Sequence, residues 1–215
     1  MLKFVLVHDG TDLGWQAAYR AFHVAARLGA SLLAVVIDSR LNADDLVQAA
    51  AEIKVGGNAA RIILTTSVIA EFTEEKLVKQ VIPGDGLFLP RHLVPDEQTA
   101  LRFLDQLGNP IWAIATQAEI NRMGVFIPEQ STDLQAISYA RLMANRMRKP
   151  LVGFSTLSGS GGTDVDVEWE TVNGSSDQAV LDAVDEKEID LLIIPASQVR
   201  LLNSFPINCV IYRSP

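Results

Sequence analysis

Apolar and polar positions alternate along the chain in a way that switches between two periods. Runs of consecutive apolar residues fit buried strands, and apolar residues recurring every three or four positions fit amphipathic helices. In the first half the pattern predicts strands at 4–7, 31–37, 60–68, 87–90 and 110–115. Helices are predicted at 12–28, 43–53, 73–81 and from an Asp96 cap to Leu107, with Gly29 and Gly108 as stops. The second half predicts strands at 124–128, 151–157, 165–172, 191–195 and 207–212, with helices at 132–149 and 176–188. Ser158–Gly162 (SGSGG) stands where the first half has a helix between its second and third strands, and reads as a connector.

The halves repeat one another. Ala17, Ala21 and Ala25 recur as Ala136, Ala140 and Ala144, each 119 residues later. A small residue every fourth position puts a smooth stripe on one helix face, and such a helix can lie close to a sheet. Leu32-Leu33 recurs as Leu151-Val152 at the same offset, and Asp9 matches Glu129 one residue further on. Five apolar strands per half with helices between them imply parallel sheets covered on both faces, wound right-handedly into α/β units. The expected organisation is two tandem doubly wound domains, 1–118 and 119–215, the second shorter by a helix.

Composition narrows the function classes. Of 215 residues 48 % are hydrophobic and 20 % charged, which is a folded composition. The net charge of −8 argues against a nucleic-acid binder, and the basic run 140–149 lies on a predicted helix face. No apolar run reaches the roughly 18–20 residues of a membrane span. The N-terminus lacks a signal-peptide pattern, and Cys209 in an apolar run reads as a buried thiol; together these lead to the expectation of a cytoplasmic protein. No Cys/His/Asp cluster has metal spacing, and no Gly-x-Ser-x-Gly elbow occurs.

The stretch VLVHDGTD, the alanine-rich helix after it, Leu28-Gly29-Ala30 and SLLAVVI resemble the universal stress protein family. IDLLIIP at 189–195 is similar to that family's fourth strand, and GDGLFLP is a looser match. The resemblance implies a sheet order of 3-2-1-4-5 in each half, with a ligand crevice between strands 1 and 4. It places Asp9, Gly10 and Thr11 on one lip of the first crevice, with Pro90, Arg91 and His92 opposite. Glu129 and Ser131 take the corresponding place in the second half, facing Ser197.

The resemblance also implies a glycine signature after strand 4 in members that bind nucleotides, where backbone N–H groups approach phosphate oxygens. Neither half has it. The segment from Pro90 to Pro110 has no glycine before Gly108 and brings Pro95, Asp96 and Glu97 instead. No glycine occurs after Ser175. Proline removes a donor and carboxylates repel phosphate. Three readings of Asp9 stay open: a cap for the next turn, a contact to a small polar or nucleoside-like ligand, or a catalytic acid. The expected function is a stress-response regulatory or interaction protein without a cofactor and without ATP binding. Its partner would be a protein or small effector, and its halves would associate through 110–115 and 207–212 as a pseudo-dimer, or the chain as a homodimer. The alternative is an adenine-nucleotide sensor, for ATP or AMP, using the crevice of the first half.

Overall fold

A computed structural model describes residues 2–37, 43–81, 86–116, 119–128, 134–156, 167–172, 177–204 and 206–212. The fold is α/β with a mostly parallel sheet, and the chain divides into two compact units, Met1–Gln117 and Ala118–Pro215.

In the first unit, β1 (Lys3–His8) is followed by α1 (Asp12–Leu28), β2 (Ser31–Ile37), α2 (Ala43–Glu52) and a hairpin of β3 (Lys54–Val55) and β4 (Asn58–Ala59). Then come β5 (Ile63–Ile69), α3 (Glu74–Gln80), β6 (Gly86–Pro90), α4 (Glu97–Leu107) and β7 (Ile111–Ile114). The parallel pairs run β5, β2, β1, β6, β7 across the sheet. Neighbours of β1 therefore lie on opposite sides of it, β2 next in sequence and β6 much later. That reversal opens a crevice at the carboxyl end of β1.

The core of this unit follows the predicted stripe. Ala17, Ala21 and Ala25 are each fully buried, and the first-strand residues Phe4 to Val7 are at most 4 % exposed. α1 opens on Thr11, whose hydroxyl accepts from the Gly14 N–H, and closes on Gly29 at φ 61°. The hairpin was not anticipated; the pattern gives a helix running to Ile53 and a strand from Ala60. Gly56 and Gly57 both have positive φ, 60° and 83°, which is what a two-residue loop of the primed type requires. The third strand departs in another way. Ile63 and Val68 are 49 % and 53 % exposed, so β5 is a half-exposed outer strand and not one covered on both faces.

In the second unit, β8 (Met123–Ile127), α5 (Leu134–Met147), β9 (Leu151–Ser155), β10 (Glu168–Thr171), α6 (Asp177–Glu186), β11 (Leu191–Pro195) and β12 (Asn208–Tyr212) follow in order. The parallel pairs run β10, β9, β8, β11, β12. A 3-10 stretch, Ala196–Asn203, joins β11 to β12. Ala136, Ala140 and Ala144 are buried like their counterparts. The helix ends repeat as well. The Ala30 N–H donates to the Ala25 carbonyl at 2.9 Å, and the Lys149 N–H to the Ala144 carbonyl at 2.9 Å. The left-handed residue between is Gly29 in one case and Arg148, at φ 55°, in the other. Gly153 carries the Trp169 ring flat against it, where an added Cβ would lie 2.5 Å from the indole.

Cys209 is fully buried, as its apolar surroundings imply. Among the described residues no helix is long and apolar enough to cross a membrane, and no three His, Cys, Asp or Glu side chains are placed to hold a metal ion. The SGSGG stretch lies outside the described residues.

Candidate functional site

The crevice of the first unit is built by a short piece of chain. β1 delivers Asp9 to the carboxyl edge of the sheet, and Gly10, at φ 74°, turns the backbone into α1. Asp9 is then held by its own neighbours. Its Oδ1 accepts from the Thr11 N–H at 3.2 Å and from the Thr11 hydroxyl at 2.7 Å. The same hydroxyl accepts from the Gly14 N–H at 3.0 Å. This links an Asp-led turn to a helix cap through one oxygen. From the other lip, Pro90 ends β6, and Arg91–Leu93 form a 3-10 turn that brings the His92 ring across. Its Nε2 lies 2.5 Å from Asp9 Oδ2. The carboxylate is only 11 % exposed and the imidazole 37 %.

Burial pushes the Asp9 carboxyl up, but the Thr11 hydroxyl, the His92 ring and the Thr11 N–H outweigh it and hold it below the ordinary carboxylate value. His8, the last residue of β1, is 1 % exposed, and burial lowers its pKa against the raising effect of the Gly14 backbone and the Asp9 charge. Both of its ring nitrogens are buried, with the Gly14 backbone beside the ring. Its ring meets Trp15 edge-on, with centroids 4.6 Å apart.

The order of groups decides what chemistry is open. The carboxylate sits between the hydroxyl and the imidazole. In a nucleophilic triad the imidazole stands in the middle and takes the hydroxyl proton. Here Thr11 donates to Asp9, so His92 does not activate it. The cluster is a closed set of hydrogen bonds whose carboxylate is largely committed internally.

Asp9, Thr11 and His92 thus come together, with Gly10 and Pro90 shaping the chain beside them. Arg91 precedes His92 in the same 3-10 turn and is half-buried. Ser197 is exposed in the 3-10 stretch after β11. Glu129 and Ser131 lie outside the described residues. His23 is exposed on α1. The pattern missed Gly14. A Cβ there would stand 2.3 Å from Asp9 Oδ1 and 3.3 Å from His8 Nδ1, so the glycine is what lets the carboxylate fold back onto the helix start. A glycine in the first turn after a strand-end acid was the available signal.

α4 begins at Asp96, whose Oδ1 accepts from the Thr99 N–H at 2.7 Å, and Glu97 adds a second acid in the first turn.

Whole-chain comparison places this architecture. A protein from Pseudomonas aeruginosa UCBPP-PA14 assigned to the universal stress proteins superposes with a TM-score of 0.66 over 99 % of this chain and 93 % of its own, at 15 % identity. A universal stress protein from Archaeoglobus fulgidus DSM 4304 gives 0.64 at 12 % identity, over 98 % of each chain. The fold is that of the universal stress proteins. A functionally unknown protein from Pseudomonas aeruginosa PAO1 shares it, with a TM-score of 0.68 at 14 % identity over 99 % of this chain and 92 % of its own. No family model matches the sequence, and no curated protein matches it.

Proposed function

We propose that the chain is a stress-response regulatory or interaction protein, two universal-stress-like domains in tandem at 1–118 and 119–215, that works without ATP. The observation that carries this reading is the start of α4. A helix N-terminus is a ready anion site when its N–H groups are open. Here Asp96 takes the Thr99 N–H, Glu97 adds like charge, and Pro90 and Pro95 bring no donors. Asp9, the other group a nucleotide would meet, is engaged by Thr11 and His92. The tandem reading is supported by the Ala25–Ala30 and Ala144–Lys149 helix ends and by the parallel strand order within each unit.

The same reading pairs the strands at 110–115 and 207–212 within one chain. Within its own unit each of these strands stands at one end of the strand order, β7 beside β6 and β12 beside β11, and an end strand leaves an edge that invites pairing. Sedimentation is expected to give a monomer at all concentrations, and an obligate dimer would overturn the intramolecular pairing.

A second reading is an adenine-nucleotide sensor. AMP needs no triphosphate cradle, and Asp9 keeps its place at the crevice. Calorimetric titration with AMP and with Mg-ATP separates the two. The regulatory reading expects no saturable heat from either. Binding of AMP alone would favour the sensor, and binding of ATP would overturn the proposal.

A further inference from the structure

Away from the β1 crevice, the first unit has a groove of about 360 Å³ between α1 and α2, lined by Trp15, Tyr19, Asp45, Gln48, Ala49 and Glu52. Helical spacing explains the set. Trp15 and Tyr19 are four apart on α1, and positions 45, 48, 49 and 52 form one stripe on α2. Ala49 keeps the floor open between the longer side chains. Trp15 is backed by the buried His8 ring, and its own ring lies 6.0 Å from Tyr19 at 39°. Tyr19 is 40 % exposed.

The chemistry of this lining is one-sided: two aromatic side chains, two carboxylates and, among the described residues, no Lys, Arg or His. Helix electrostatics account for only one of the acids. Asp45 is in the first turn of α2, where a carboxylate complements the helix dipole. Glu52 is the last residue of that helix, where a carboxylate opposes it and no basic residue offsets it in the last turn. The Gln48 amide donates to Glu52 Oε1 at 3.4 Å. A residue placed against local preference points to a use.

A cation within ~6 Å of an aromatic face is attracted by the ring quadrupole, and a carboxylate supplies the opposing charge. An anion would be repelled there, and a neutral apolar ligand would leave the acids without partners. We propose that the groove between α1 and α2 binds a small organic ammonium ion of the alkylamine or quaternary-ammonium class. The chain's net charge of −8 favours the encounter. The assignment stands independently of the nucleotide question.

The test is calorimetric titration of the full chain with putrescine and with tetramethylammonium, against butanediol as a neutral isostere and sodium chloride at matched ionic strength. Both ammonium ions are expected to bind saturably in the millimolar range or below, and butanediol not at all. Glu52→Gln and Tyr19→Leu, both at exposed positions, are each expected to weaken binding by about fivefold, a size in keeping with one screened charge or one cation–aromatic contact. Trp15→Leu should remove it, but that variant also alters the His8 contact, so the decision rests on the other two. Absence of saturable heat up to roughly 20 mM amine, equal binding of butanediol, or unchanged affinity in both Glu52→Gln and Tyr19→Leu would overturn the assignment.

Discussion

Replacing Gly14 by alanine sets two effects of opposite sign against each other. Inside a helix, alanine is favoured over glycine by about 1 kcal/mol. At Gly14 the new Cβ would stand 2.3 Å from Asp9 Oδ1, so the carboxylate must swing away. That movement breaks the bond from the Thr11 hydroxyl and the one from the Thr11 N–H, and it disturbs the contact with His92. A hydrogen bond to a charged group contributes about 1.5 kcal/mol at the low end of its range, and the longer N–H bond contributes less. The His92 contact, with an imidazole more than a third exposed, adds ~0–1 kcal/mol after solvent screening. The loss therefore comes to about 2–3 kcal/mol, and the net effect is a destabilisation of about 1–2 kcal/mol. For a chain of this size each kcal/mol moves Tm by about 2–4 °C. The assay is thermal denaturation at neutral pH of wild type, Gly14→Ala and the double variant with Asp9→Ala. The single variant should melt lower than wild type by several degrees. Adding Asp9→Ala should remove most of that loss, because the 2.3 Å contact disappears and only the Asp9 N at 3.2 Å and His8 Nδ1 at 3.3 Å stay close to the new Cβ. A Gly14→Ala variant that melts at or above wild type would refute the claim that Gly14 holds the Asp9 cluster together.

Other expectations follow from the same geometry. Asp9 has a folded pKa below its unfolded value, so its contribution is present above about pH 4 and lost as pH falls through the folded pKa; the stability gap between wild type and Asp9→Asn in urea titrations should close in acid, and a gap constant down to pH 2 would contradict it. His8 is buried with its pKa lowered, so the unfolded chain takes up more protons below about pH 6.5 and stability falls with pH there; His8→Leu should flatten the slope between pH 7 and pH 5. Arg148 sits at φ 55° where the matching helix end uses glycine; Arg148→Gly should stabilise by about 1 kcal/mol in denaturant titrations. Gly153→Ala should cost about 1–3 kcal/mol by pushing into the Trp169 ring, and Trp169→Leu should relieve part of that loss.

The parts legible in the sequence were those set by local chemistry. Gly29 and Gly108 stop helices because they take positive φ, and both do so here at 61° and 65°. Asp96 caps α4 as its position before a helical pattern implies. The alanine stripes at 17, 21, 25 and 136, 140, 144 were readable because spacing alone puts them on one face. Less legible was whatever depends on neighbours distant in the chain. β5 is an apolar run in sequence, yet its place at the outside of the order leaves Ile63 and Val68 in solvent. Gly56-Gly57 reads as a helix ending until strand pairing shows it to be the turn of a hairpin. At the site, the residues on both lips could be named, but not that His92 reaches Asp9, 83 residues away in the chain. Nor could the pattern show that Gly14 is required by a side chain five residues before it. The groove between α1 and α2 is a product of two helix faces, and neither face announces it alone.

The most direct measurement is the melting temperature of the purified chain with Mg-ATP raised to millimolar concentration. A ligand at about a hundred times its Kd adds ~2.7 kcal/mol of stability, which is roughly 5–10 °C for a chain of this size. The account predicts a flat curve, because Asp96 takes the Thr99 N–H at the start of α4 and the crevice carboxylate is held by Thr11 and His92. A saturating rise of several degrees would contradict it, and would mean that the Asp9 cluster opens to take a nucleotide.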